Sequence, residues 1–438
     1  MILVVGMARS GLAAARLLKS RGEDVFVSDA GSPRTTAELD SLGIPWESGK
    51  HTTARFLSAA EIVVSPGVPS DIAPLVAARA QGIPIVSELE VAWRYLKGDV
   101  IAITGSNGKT TTTTLVGEIL KAAGRIVQVG GNIGTAMCGL VDSSTAHTVN
   151  VIEVSSFQLD GIRKFRPHTA AILNITPDHL DRYAGFAAYR ASKFRIFENQ
   201  VESDTAVLNR DDPQVYPPDV PIRARQSLFS RKESTTAGAY RAAGSLYLNG
   251  QVVMEAADVR LRGEHNIENV LASLAITAGY GISPDTLAKA IRDFRGVEHR
   301  IEYVAALRGI EFFNDSKATN VDSTIKAVES FDRGLILILG GKDKGAPYEP
   351  LLEAMQGKVK HVLLIGEAAE KISKAIGKQF ASSRVETMAD AVRRGVEIGA
   401  SGDVVLLSPA CASFDMFENY EHRGREFKRA VQELMRNA

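Results

Sequence analysis

The sequence predicts an α/β protein of about three domains, and three observations carry that expectation. Short, β-branched apolar runs alternate with longer amphipathic stretches along almost the whole chain, the pattern of parallel sheets with helical crossovers. Glycine-rich turns follow several of those runs directly, as they do where a strand feeds a helix beside a ligand. The chain has 438 residues, and at roughly 150 residues per domain that length divides into three cores.

The apolar runs are Ile2 to Val5, Val25 to Val27, Ile62 to Val64, Val100 to Ile103, Val149 to Val154, Ala170 to Ile175, Thr205 to Leu208, Leu335 to Leu339, His361 to Ile365 and Val404 to Leu407. Each is expected to be a strand. One stretch departs from the parallel pattern: LYLNGQVVM places Asn249-Gly250 between alternating segments, a two-residue hairpin turn in which both positions tolerate positive φ. Boundaries are expected at Lys97-Gly98, just before a new strand, and at Gly296 to His299, giving domains 1–97, 98–297 and 298–438.

Composition narrows the functional classes. With 51 Lys+Arg against 51 Asp+Glu, the net charge is zero, without the broad basic footprint of a nucleic-acid or anionic-membrane binder. The 45% hydrophobic content is that of an ordinary globular protein. Cys138 and Cys411 stand alone, without CxxC or Cys/His spacing, so neither a disulfide framework nor a structural zinc site is expected, and a reducing cytoplasm fits. MILVVGMARS lacks the basic start and unbroken apolar stretch of an export signal, and no later run approaches the roughly 18 apolar residues of a membrane span. A cytoplasmic monomer, with neither nucleic acid nor membrane as partner, is the expectation.

The first segment, ILVVGMARSGLAAARLLKSRGEDVFVSD, reads as strand, glycine turn, helix, strand. Gly6 and Gly11 bracket the turn and Asp29 ends the second strand. This is a loose dinucleotide fingerprint: backbone approaches a phosphate, a helix N-terminus faces the anion, and a carboxylate meets a ribose or base. Ala8 stands where the middle glycine would be, so a plain βα turn with packing glycines remains the alternative. SPGVP, from Ser65 to Pro69, follows the run EIVV and is either a ligand loop at a strand's carboxyl end or a rigid turn.

DVIAITGSNGKTTTTTLVGEIL is the strongest motif. An apolar run ends at Thr104; Gly105, Ser106, Asn107 and Gly108 form the loop; Lys109 and Thr110 open a helix. Ile103 stands where the full phosphate-loop pattern has its first glycine, making this a shortened variant. Loop N–H groups and the helix dipole cradle phosphate, Lys109 offsets phosphate charge, and the Thr110 hydroxyl is a Mg²⁺ ligand. Five threonines from Thr110 to Thr114 are a poor helix start on propensity, so something besides helix stability selects them. No NKxD guanine-reading sequence occurs, which favours ATP over GTP.

Glu153 lies near the end of VIEVSSFQLD, where a buried carboxylate needs a partner, and with a phosphate loop nearby Mg²⁺ is a good one. TPDHLDRY clusters Asp178, His179 and Asp181; alone, His179 reads as either a hydrogen-bonded surface histidine or a ligand. In FAAYRASKFRIFENQ, Phe186, Tyr189, Lys193, Ile196 and Phe197 share one helical face, so a lysine falls in an apolar stripe. Burial favours the neutral amine, which reacts with CO₂ to give a carbamate; a lysine snorkelling to the edge of the stripe is the alternative.

The phosphate loop, EVSSFQLD, TPDHLDRY, the inward lysine, HNIENVLAS, EHRIE, NDSKATN and SPACASFD occur in an order that closely resembles the Mur ligases, the ATP-dependent amide ligases of peptidoglycan assembly. The resemblance covers nearly the whole chain. The compact N-terminal start, NDSKATNVDST and LSPACASFDMFENYEHRGREF look like the glutamate-adding members. It implies a Rossmann-like N-terminal domain for the UDP substrate, a central phosphate-loop ATPase-like domain, and a Rossmann-like C-terminal domain that takes the amino acid and closes over ATP.

Carried onto matching positions, the resemblance implies that Gly105, Ser106, Asn107, Gly108, Lys109, Thr110, Thr111, Asn269, Arg300 and Asp315 bind ATP, with Lys317 in the same loop as Asp315. Thr110, Glu153, His179 and a carbamylated Lys193 would hold two Mg²⁺ ions, and Lys109, Glu153, His179 and Lys193 would be catalytic. Ser10, Asp29, Gly67, Asn132 and His179 would bind the substrate UDP-N-acetylmuramoyl-L-alanine. Thr319, Lys344, Ser413, Phe414 and Tyr420 would bind D-glutamate, a dicarboxylate that needs a cation and several donors. Alone, Lys344 reads as a solvated loop lysine and Ser413 as a helix-initiating serine. Two departures stand out: Gly31 occupies a position where the family often has arginine, so either Arg34 substitutes or that contact is missing, and Tyr420 replaces Phe. The implied rival in the same superfamily is a folylpolyglutamate synthase-like ligase. A nucleotide switch would leave the hydroxyl- and lysine-bearing loops of the C-terminal third without a role, and an NAD-linked reductase would leave the central phosphate loop without one.

Overall fold

The structure, a computed structural model, describes residues 1–31, 36–177, 182–343, 345 and 347–436. The chain forms two compact units: Met1–Val259 with His265–Asp293, and Arg260–Glu264 with Phe294–Ala438. Among the described residues the strands form three sheets, two in the first unit and one in the second.

The first sheet is all parallel, in the order β3-β2-β1-β4-β5, from β1 (Ile2–Val5), β2 (Val25–Asp29), β3 (Trp46–Ser48), β4 (Glu61–Val64) and β5 (Ile85–Ser87). Strand order reverses between β1 and β4, and in such sheets the ligand crevice lies outside the carboxyl ends of the strands at that point. The Gly6 to Gly11 turn and the Ser65 to Pro69 loop follow those two strand ends.

The second sheet contains β6 (Asp99–Thr104), β7 (Ile126–Gly131), β8 (Thr148–Glu153), β9 (Thr169–Ile172), β10 (Thr205–Asn209), β11 (Arg225–Ser230), β12 (Gly238–Ala242), β13 (Ser245–Leu248) and β14 (Gln251–Glu255). Its order is β14-β13-β12-β11-β10-β9-β6-β8-β7, parallel except for the last hairpins. Asn249 and Gly250 turn between β13 and β14 at φ 48° and 82°, the positive pair expected of this hairpin. β6 is flanked by β8 and β9, so the phosphate loop, Glu153 and the segment after Ile172 emerge side by side.

These two sheets share one unit because the helix Glu88–Trp93 grips the segment after β8. The Glu90 carboxylate accepts from the backbone N–H groups of Arg163, Lys164 and Phe165, Trp93 packs edge-on against Phe165, and apolar side chains of both sheets join one core.

The second unit carries β15 (Glu302–Leu307), β16 (Ile310–Asn314), β17 (Leu335–Gly340), β18 (Val359–Ile365), β19 (Ser382–Arg384) and β20 (Val404–Leu407), ordered β15-β16-β20-β17-β18-β19 with only β15 antiparallel. Leu335, Leu337 and Leu339 enter one core, while Ile336 and Ile338 enter another. Covering both faces is what makes such strands read as unbroken apolar runs. No helix among the described residues is long and apolar enough to cross a membrane.

Candidate active site

The phosphate loop joins β6 to the helix Lys109–Ala122, with Gly105 and Gly108 at φ 155° and 81°. A side chain at Gly108 would collide with Asn269, whose Oδ1 lies 2.3 Å from an added Cβ, so the helix Glu264–Thr277 holds Asn269 against the loop. Neighbouring strand ends brace the loop further. Ser106 Oγ donates to Thr176 O (3.0 Å), and Asn107 N–H donates to Asn174 Oδ1 (2.8 Å).

Two lysines converge on one carbonyl: Lys109 Nζ and Lys193 Nζ lie 2.8 and 2.9 Å from Gly105 O. Lys193 is 2% exposed, and its Nζ stands 4.6 Å from the centroid of the Tyr189 ring. The inward lysine is therefore a loop-facing lysine, not one that snorkels to the edge. The helix is shorter than its pattern, ending at Phe194 and continuing as a 3₁₀ turn, Arg195–Phe197, with Tyr189, Ile196 and Phe197 buried as the periodicity requires.

The threonine run also gains a physical reason. Thr110 Oγ1 donates to Glu153 Oε2 at 2.8 Å, and Thr112 Oγ1 approaches Asn269 Oδ1 at 3.3 Å. The other Glu153 oxygen accepts from Asn132 Nδ2 at 2.9 Å, and Asn132 O accepts from Arg9 Nη2 at 3.0 Å. One buried carboxylate thus links the phosphate loop, through Asn132, to the turn after β1. A hydroxyl and a carboxylate are hard oxygen donors of the kind Mg²⁺ takes together with nucleotide phosphates, so Thr110 and Glu153 fit that ion. Lys193 as an amine is no such donor; it fits only as a carbamate. Asp178, His179 and Asp181 lie outside the described residues.

At the first sheet, an added Cβ on Gly11 would lie 1.9 Å from Gly6 O, so this glycine is required by close approach of helix and turn. Asp29 closes the turn by accepting from Met7 N–H (2.6 Å) and Gly31 N–H (2.7 Å). Ser10 lies in the first turn of the helix Arg9–Ser20, and nothing lies within 4 Å of an added Cβ on Gly67, leaving room above that loop. Arg34 is outside the described residues.

In the second unit, Asp315 is buried, with Oδ2 accepting from Ser408 Oγ (2.7 Å) and Oδ1 from Ile301 N–H (3.2 Å). Burial pushes its carboxyl up to about 7 despite the Ser408 bond and the charges of Arg300 and Arg423. Arg300 is exposed, Thr319 half-buried, Ser413 buried and Phe414 exposed. Ser413 starts a turn, not a helix: Phe417 N–H donates to its carbonyl at 2.8 Å. Tyr420 meets His299 edge-on, and Lys317 Nζ is 5.9 Å from the Tyr420 ring centroid. Lys344 lies outside the described residues. Sequence reasoning missed Arg9, Asn174, Thr176 and Ser408 as braces, because a hydrogen bond between separate strand ends leaves no periodic mark.

Known proteins match this arrangement along its length. Residues 1–87 match the Mur ligase MurD-like N-terminal domain, 103–277 the Mur ligase middle domain, and 299–411 the Mur ligase glutamate ligase domain. The chain is 46% identical over 441 residues to UDP-N-acetylmuramoylalanine--D-glutamate ligase of Koribacter versatilis, covering 99% of this chain and 97% of that one. It is 45% identical over 440 residues to the protein of the same name from Geotalea daltonii, with the same coverage. Among solved structures, UDP-N-acetylmuramate-alanine ligase of Thermotoga maritima superposes with a TM-score of 0.61 at 21% identity over 99% of both chains, a likeness of fold. With three domain matches in order and this identity over its full length, the chain belongs to the Mur ligase family.

Proposed function

We propose that the chain is an ATP-dependent ligase that joins D-glutamate to UDP-N-acetylmuramoyl-L-alanine in cell-wall precursor synthesis, working as a cytoplasmic monomer. The names of the relatives support the substrates. The observation that carries the chemistry is the bridge Thr110–Glu153–Asn132, which ties the nucleotide loop to the residue matching a muramoyl contact through a single carboxylate.

In this reading residues 1–97 take the UDP substrate, with Ser10, Asp29, Gly67 and Asn132 as contacts. Residues 98–297 take ATP on Gly105 to Thr111 and Asn269, and 298–438 supply Arg300 and Asp315 for the nucleotide and Thr319, Lys344, Ser413, Phe414 and Tyr420 for D-glutamate. The substrate's terminal carboxylate attacks the γ-phosphorus in line; the bond to the β-γ bridging oxygen breaks, and acyl phosphate and ADP result. Lys109 and the loop N–H groups offset repulsion between the two anions. Two Mg²⁺ ions, on Thr110, Glu153, His179 and Lys193, supply further charge neutralisation when bound. The Lys193 amine joins CO₂ with loss of a proton, and the resulting carbamate replaces a buried cation by an oxygen donor. The free amine of D-glutamate then attacks the acyl carbon, and the tetrahedral adduct expels phosphate to leave the amide.

Isotope transfer tests this sequence. ¹⁸O placed in the alanyl carboxylate should leave in the released phosphate; phosphate free of the label would exclude the acyl phosphate.

A further inference from the structure

Arg423 is the largest fully buried side chain among the described residues, at 1% exposure. It lies in the helix Tyr420–Arg436, and its guanidinium donates four hydrogen bonds. Nε donates to Ser316 Oγ (2.9 Å), Nη2 to Ser316 O (2.8 Å), and Nη1 to Cys411 O (3.1 Å) and Ala412 O (3.2 Å). Ser316 Oγ passes the connection on, donating to Tyr420 O at 2.8 Å. A side chain on Gly341 would come within 3.1 Å of Nη1, and Lys342 N–H donates to Ala412 O at 2.9 Å. One planar fork therefore ties the Asp315 to Thr319 loop and the Ser408 to Ser413 loop to the first turn of its own helix, and Lys342 joins them through Ala412 O. Among the described residues these segments bear Thr319, Ser413 and Tyr420, three of the residues assigned above to D-glutamate.

The partners of Arg423 are all neutral oxygens. Asp415 and Asp315 act on it through space, and desolvation lowers its pKa to about 10, which leaves it a cation at neutral pH. Those two carboxylates offset only part of the cost of burying the charge, and a bound anion would offset more of it. Lysine would not serve: an ammonium cannot hold Ser316 and the Cys411–Ala412 carbonyls in one plane.

We propose that Arg423 is a positioning residue for the amino-acid substrate, holding the pocket segments in register while its partly offset charge biases the pocket toward a dicarboxylate. This rests on the D-glutamate reading, and the test separates the two. Steady-state phosphate release is measured for the wild type, Arg423→Met, Arg423→Lys and Ser316→Ala, varying D-glutamate, ATP and UDP-N-acetylmuramoyl-L-alanine in turn, with thermal unfolding of each protein. Saturation of the wild type by D-glutamate supports the underlying reading; its absence removes both. In Arg423→Met the KM for D-glutamate should rise about 30-fold, as loss of a charged hydrogen-bonding group warrants, with both other KM values within about twofold. Arg423→Lys should recover part of the loss, because charge returns without the fork. Ser316→Ala, which deletes one hydroxyl and is the variant to use if Arg423→Met does not fold, should raise only the D-glutamate KM, by about fivefold. Equal rises in all three KM values, or a fall in kcat with the D-glutamate KM unchanged, would overturn the proposal.

Discussion

Glu88→Gln should stabilise the first unit at alkaline pH and lose that advantage in acid. Glu88 opens its helix fully buried; Oε1 accepts from Gln158 Nε2 at 2.7 Å, while Oε2 has no hydrogen-bond partner. Desolvation raises its pKa from 4.5 to about 7, against the Gln158 bond and the charge of Arg9. The folded chain thus keeps a proton that the unfolded chain gives up near 4.5, so stability falls as pH rises between those values and the full cost is present above 7. At about 1.4 kcal/mol per pH unit the ceiling on that cost is roughly 3 kcal/mol. Glutamine keeps the acceptor facing Gln158 but puts an unpaired N–H₂ where Oε2 was, which costs about 1 kcal/mol. The net gain is about 2 kcal/mol at pH 8, and at pH 4.5 the variant is about 1 kcal/mol less stable than the wild type. Trp46 and Trp93, the chain's two tryptophans, both lie in this unit, so urea unfolding followed by their fluorescence reports on it directly. A variant less stable than wild type at pH 8, or a difference that does not change with pH, would refute the reasoning.

Lys193→Ala should lower activity about 1,000-fold, the scale of a lost catalytic electrostatic group, and short carboxylates should restore part of it; ¹³C NMR with labelled bicarbonate should show a carbamate signal in the wild type and none in the variant. Unchanged turnover, or no carbamate signal in the wild type, would remove the carbamate. Gly11→Ala drives a methyl into Gly6 O, so it should cost about 1–3 kcal/mol in the same fluorescence-monitored unfolding and raise the KM for the UDP substrate. An unperturbed variant would mean the turn is not closed as described.

The parts of the molecule governed by local rules were legible in the sequence. Val149 to Val154 and Leu335 to Leu339 announce buried parallel strands because both faces are covered, and the 3.6-residue period of the 186–197 segment places Lys193 inward before any contact is known. The Asn249-Gly250 turn follows from backbone sterics alone. What escaped are contacts between distant residues. Nothing near Arg423 in the sequence reveals that Ser316 and Ala412 will surround its guanidinium. Glu88 and Glu90 look alike in SELEVAW, yet Glu90 meets three backbone N–H groups and Glu88 keeps one oxygen orphaned. Union of the first two sheets in one unit has the same origin, since Glu90 acts across more than seventy residues of chain. The family resemblance supplied roles for Asn132, Asp315 and Tyr420 that their local sequence does not carry.

The central claim is the identity of the reaction, and the most direct measurement is phosphate release from ATP and UDP-N-acetylmuramoyl-L-alanine with a panel of amino acids. Release should require the muramoyl substrate, saturate with D-glutamate, and remain near background with L-glutamate, alanine of either hand and lysine. Release that is indifferent to D-glutamate, or faster with another amino acid, would contradict the assignment.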